Sequence, residues 1–162
     1  MPPDERAALI ARYASGADAF EAVVAGLTDA EPDVRPFEGQ WTVREMAHHL
    51  ADGELNSAVR LRRLIAEEEP VLPGYDEMAY SRRLHDGGRA IGPSLEAMRA
   101  ARASTLTILE RLTEAEWARN GTHTEQGPYS VSAWLRDDAN HPHDHAGQAL
   151  RALAAARSGA VG

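Results

Sequence analysis

The chain has 162 residues and a formal net charge of −8, and its 17 basic side chains are all arginine because lysine is absent. That length suits one domain with a real core spanning 1–162, and it is short for two. Without cysteine there are no disulfides, thiolate ligands or cysteine nucleophile; without a basic stripe nucleic acid is a poor partner; and with no leader and no apolar run of about 18 residues the expectation is a cytoplasmic protein with no membrane contact.

Four segments have helical period. The first runs from about Asp4 to Leu27, where Leu9, Tyr13, Gly16, Phe20, Val23 and Leu27 recur by threes and fours. The second opens on a capping box, Thr42 and Glu45, flanked by Trp41 and Met46 as a hydrophobic staple, and should reach Glu68 before Pro70 stops it. Along it Arg60, Arg62 and Arg63 face Glu67, Glu68 and Glu69, a pattern that reads as a solvated face with ion pairs.

The stretch after it, EPVLPGYDEMAYSRRLHDGGRAIGP, is punctuated by prolines 70, 73 and 93 and by Gly87-Gly88, which predicts mostly extended or irregular backbone. The third helix should begin near Ser94 and carries Leu95, Met98, Leu106, Leu109 and Leu112. A shorter link from Trp117 to Pro128 leads to the fourth, from about Ser130 to Arg157, with Tyr129 and Trp134 as a second staple and residues 158–162 as a frayed tail. Strand signals are nearly absent. The expected fold is all-α, a single four-helix bundle in which the long link between the second and third helices permits a crossover.

Helical phase selects among the histidines. His141 and His145 stand four apart, on one face with Trp134, Leu135, Ala149 and Ala152, while His143 points away. In the second helix His49 lies at the edge of the apolar stripe, in line with Met46, Gly53 and Asn56, and His48 is rotated about 100° toward solvent. Three inward imidazoles from two helices make a metal site with open positions, the arrangement of catalytic zinc. The competing reading is a set of neutral core histidines bonded to carbonyls or carboxylates.

Asp138, one turn before His141, is placed to accept a ring N–H. Glu54 lies at the centre of an apolar stripe, where a carboxylate must be paired or functional. Pro142 interrupts the last helix, either as a functional kink or as a structural accident.

QWTVREMAHHLADGELNS, VLPGYDE, GPYSV and HPHDHAGQAL, in that order, make the chain resemble the DinB-like family, and within it the thiol S-transferase and metal-dependent hydrolase subgroup. The resemblance covers about Phe37 to Leu153 and departs from the usual pattern at Pro142 and Gly147. It implies an up-down-down-up bundle, one divalent ion held by His49, His141 and His145, and a homodimer.

The resemblance further implies transfer of bacillithiol, mycothiol or a related low-molecular-weight thiol to a small electrophile. Zinc is the expected ion and nickel an alternative. Asp138, Glu54 and His48 are candidates for orienting roles around the ion. Hydrolysis by the same three-histidine site, and a non-catalytic metal-binding or dimerisation module, stay open beside thiol transfer.

Overall fold

The computed structural model describes residues 1–35 and 37–158, so the expected tail lies almost wholly outside the described residues. In chain order the elements are α1 (Pro3–Ala25), α2 (Val43–Ala66), β1 (Val71–Leu72), α3 (Glu77–Arg83), α4 (Ile91–Leu109), α5 (Glu114–Trp117), β2 (Asn120–His123), β3 (Gly127–Ser130) and α6 (Val131–Arg157). The four long helices, α1, α2, α4 and α6, form the bundle.

Side-chain pairs give the helix directions. Arg136 meets Glu5 and Asn140 meets Arg12, so α1 and α6 run parallel. His48 meets Ser94 and Arg62 meets Ser104, so α2 and α4 run parallel. Ser57 meets Asp138 while His49 meets His141, so α2 and α6 oppose each other, and Arg99 on Asp18 with Arg102 on Tyr13 opposes α4 to α1. The path is up-down-down-up, and the link between α2 and α4 must return the length of the bundle.

Local chemistry starts and stops these helices where it can be seen. Thr42 accepts from the Glu45 N–H while the Glu45 carboxylate accepts from the Thr42 N–H, a complete capping box. Ser130 caps α6 through the Ala133 N–H. α2 ends two residues before Glu68, and α4 begins three residues before Ser94. Of the three clustered arginines only Arg63 pairs with Glu67; Arg62 reaches Ser104 and Thr105, and Arg60 donates to the Pro73 carbonyl.

The long link is more ordered than its proline and glycine content suggests. Asp76 caps α3 through the Ala79 N–H. β1 pairs in parallel with β2, Val71 opposite Thr122, and β2 pairs antiparallel with β3, which ties the two inter-helix links together at one end of the bundle.

The apolar core lies in two clusters. One gathers Phe20, Met46, Leu50, Met98 and Leu153; the other gathers Leu61, Leu64, Leu109, Trp134 and Leu135 around Tyr13. Between them runs a buried polar belt containing Glu54, Ser57, Arg102 and Thr105. Arg102 is only 2% exposed, and it bonds to the Glu54 carboxylate, to the Tyr13 carbonyl at 2.9 and 3.1 Å, and to the Asp138 carbonyl at 3.1 Å. Its guanidinium also lies 3.8 Å from the centre of the Tyr13 ring, whose hydroxyl donates to Glu54.

This belt explains Pro142. Proline has no N–H, so the carbonyl four residues earlier, that of Asp138, loses its helical partner. Arg102 supplies the missing donor, and α6 continues unbroken to Arg157. Gly16 completes the fit, because a Cβ there would lie 2.9 Å from an Arg102 nitrogen and 3.1 Å from the Pro142 ring.

Removing one member of a buried, fully bonded ion pair strands the other, at a cost of about 3–5 kcal/mol. Arg102→Met and Glu54→Leu are each expected to lose stability on that scale in urea unfolding. The double variant is expected to lose clearly less than their sum, and additivity would show that the pair is not coupled.

Candidate metal centre

His49 comes from α2, and His141 and His145 come from α6, where the antiparallel packing of those helices brings them together. Their ring centroids lie 4.8 to 5.0 Å apart, and Nε2 of His49 faces Nε2 of His141 at 3.0 Å. One nitrogen from each ring falls within 4.8 Å of the other two. Nitrogens bound to one tetrahedral ion lie about 3.4 Å apart, so small ring rotations suffice to meet a common ion.

The rings resist protonation. Burial first, and then the neighbouring imidazoles, lower His49 to about 2; burial, His145 and Arg102 lower His141 to about 3. His145 is lowered by burial as well. Two neutral rings facing at 3.0 Å can share one N–H as donor and acceptor, and because the rings resist protonation each keeps a lone pair that a cation can take. Nδ1 of His49 and Nδ1 of His145 are buried without a hydrogen-bond partner among the described residues. A divalent cation that accepts imidazole lone pairs fits this donor set of three converging rings.

Gly53 makes room for the cluster. A Cβ at that position would sit 3.1 Å from His141 Cε1 and 3.4 Å from the Tyr75 hydroxyl. Trp41 roofs the other side, edge-on to His49 at 4.4 Å and parallel to His145 at 6.1 Å, with its indole N–H directed at the Met78 sulfur. Trp41 therefore does more than staple the start of α2.

Two cavities reach the cluster. One, of about 640 Å³, lies beside His145 and is lined by Phe37, Trp41, Gln148 and Arg151. The other, of about 480 Å³, lies beside His141 and is lined by Tyr75, Gln126, Arg60, Asp137 and Asp144. Glu77 is the residue that lines both. Burial and the nearby Glu125 raise its carboxyl above the usual range. Tyr75 and Glu77 belong to the VLPGYDE segment, which phase analysis could not place because it lies outside the long helices.

The three orienting candidates take other partners. His48 is fully buried, not turned to solvent: its Nδ1 lies 2.7 Å from the Ser94 hydroxyl and its Nε2 lies 3.3 Å from the Arg89 carbonyl. The single-stripe phase argument fails there because α4 and the link before it cover a second face of α2. Glu54 is committed to Arg102 and Tyr13. Asp138 accepts from the Ser57 hydroxyl and makes no hydrogen bond to a histidine ring.

Burial, reinforced by the Glu54 charge, pushes Asp138 from an ordinary 3.8 up to about 7. The native state therefore holds this proton more tightly than the unfolded chain does. Its stabilising effect is complete below about pH 4, fades as pH rises, and is gone above about pH 7. Asp138→Asn in metal-free protein is expected to flatten the decline in stability from pH 4 to 7 and to raise stability at pH 8 by up to about 4 kcal/mol. Thermal melts across that range measure it, and an unchanged slope would contradict it.

Comparison with known proteins agrees with the fold. OB0782 of Oceanobacillus iheyensis, whose name proposes a metal-dependent hydrolase, is 33% identical over 122 residues, 75% of this chain and 70% of that protein. YfiT from Bacillus subtilis, described as a proposed metal-dependent hydrolase with an unusual four-helix bundle topology, superimposes with a TM-score of 0.89 at 24% identity, covering 98% of this chain and 90% of that one. A mycothiol-dependent maleylpyruvate isomerase superimposes with a TM-score of 0.70 at 14% identity over 90% of this chain, which spans only 60% of the isomerase. The family model for the DinB superfamily matches residues 12–149, and the chain belongs to that superfamily.

Proposed function

We propose that this protein is a metal-dependent S-transferase that joins a low-molecular-weight thiol to a small electrophile. The observation that carries the reading is the meeting of two chemically different cavities at one three-histidine cluster in a chain without cysteine. A reaction between two small molecules needs two approaches to one centre, and any thiolate has to arrive from outside the chain.

In this reading His49, His141 and His145 hold one divalent ion, with zinc the expected occupant and nickel an alternative. When bound, the ion lowers the pKa of a coordinated thiol or water toward neutrality. The chain's own residues do the rest. Trp41 and Tyr75 wall the site, and Gly53 leaves room for the His141 ring. Glu77, at the boundary of the two cavities, accepts the thiol proton on its carboxylate. The sulfur–carbon bond forms at the electrophile as its leaving group departs with the displaced electron pair. A homodimer through the bundle helices accompanies this reading.

The names of OB0782 and YfiT favour a second reading, hydrolysis with water in place of the thiol at the same residues. A screen of metal-loaded protein against electrophiles and esters, with and without several cellular thiols, separates the two. Loss of electrophile only when thiol is present is the expected result, and turnover without thiol would establish the hydrolase. Light scattering of the same preparation is expected to give a dimer mass.

The adjacent histidines test the ligand set. His49→Ala is expected to abolish tight zinc binding. His48→Ala should unfold at lower denaturant, because it strands Ser94, while its metal affinity stays within about tenfold of the parent. Equal loss of metal in the two variants would refute the assignment of His49.

A further inference from the structure

The cavity beside His145 has a chemistry of its own. Trp41 and Phe37 give it flat apolar walls, and Gln148 and Arg151 line the same space from successive turns of α6. Arg151 has no carboxylate within salt-bridge distance among the described residues; of the two arginines that line the other cavity, Arg136 is paired with Glu5 and Arg60 donates to the Pro73 carbonyl.

Gly147 explains how Arg151 comes to lie there. A Cβ at Gly147 would stand 3.3 Å from an Arg151 terminal nitrogen, so the guanidinium lies back along α6 over the surface the glycine leaves bare. An α-helix interior gives up about 1 kcal/mol to hold a glycine instead of alanine. The guanidinium's position is what that cost accompanies here.

We propose that the cavity beside His145 binds a flat, aromatic or conjugated carboxylate, with its ring or conjugated system against Trp41 and its anionic group on Arg151. Resting on the thiol-transfer reading, this makes the electrophile a planar carboxylic acid and leaves the cavity beside His141 to the thiol. A guanidinium suits a carboxylate because its planar N–H fork matches the two oxygens, and an aromatic wall suits a flat conjugated body. Glu77, which borders both cavities, stands where the two molecules meet.

Calorimetric titration of zinc-loaded and zinc-free protein with cinnamate and with its neutral amide tests the assignment. Cinnamate is expected to bind both forms at least about tenfold more tightly than the amide, which identifies Arg151 and not the ion as the anion's partner. Arg151→Gln, a change at an exposed side chain, should erase that preference, and Gly147→Ala should weaken it by displacing the guanidinium. Saturating 2-mercaptoethanol should leave the cinnamate affinity of the zinc-loaded protein unchanged.

Equal affinity for acid and amide, or an unchanged preference in Arg151→Gln, would overturn the assignment. Competitive displacement of cinnamate by 2-mercaptoethanol would overturn the division between the two cavities. If cinnamate binds as expected while the substrate screen shows turnover without thiol, the carboxylate site stands and the thiol reading falls.

Discussion

A buried guanidinium must be met by acceptors on every side, and Arg102 meets that demand only when all four long helices hold one relative rotation and height. Its partners are the Tyr13 carbonyl on α1, the Glu54 carboxylate on α2 and the Asp138 carbonyl on α6, while Arg102 itself belongs to α4. Apolar packing alone tolerates shifts in register, since one hydrophobic side chain can replace another. A charge at this depth does not, because each lost bond leaves an uncompensated group in a low-dielectric interior. Pro142 belongs to the same constraint, since its absent N–H frees the carbonyl that the guanidinium needs.

The metal centre inherits its geometry from that belt. His141 follows the Arg102-bonded carbonyl of Asp138 by three residues, so the first turn of the H-x-x-x-H segment is anchored from inside the bundle. The cluster packed around Met46 and Leu153 holds the other side, and Trp41 closes the rings from above. Burial deep enough to keep three imidazoles neutral is the by-product, and neutral imidazole is the form that ligates a cation.

Much of this was legible in the residues, for identifiable reasons. The last helix buries a single stripe around His141 and His145, so periodicity against Trp134 and Ala149 places both rings inward. The capping box of Thr42 and Glu45 is a local device and needs no tertiary information. His48 misled because α2 is covered on two faces, and one hydrophobic stripe cannot show that polar His48 lies under Ser94 and Arg89. The role of Glu54 was undecidable without its partner, which lies in another helix. α3 and the small sheet escaped notice because a short helix capped by Asp76 and a two-residue strand are too brief for periodicity to register among prolines and glycines. Trp41 read as a staple because nothing in its neighbours' spacing reveals a ring held over His49 and His145.

β1 is joined to β2, about fifty residues further along the chain, by very little. The Thr122 N–H donates to the Pro70 carbonyl at 2.9 Å, the Thr124 N–H donates to the Leu72 carbonyl at 3.0 Å, and the Leu72 side chain is buried below them. Tyr75 and Glu77 follow within a few residues of that join. Such a pairing closes a large loop for few contacts, which places it among the last native interactions to form and the first to open. The fold thus divides into a bundle locked by a buried charge and a thin outer layer held by few contacts, and low contact density marks that layer as the part with the smaller opening free energy.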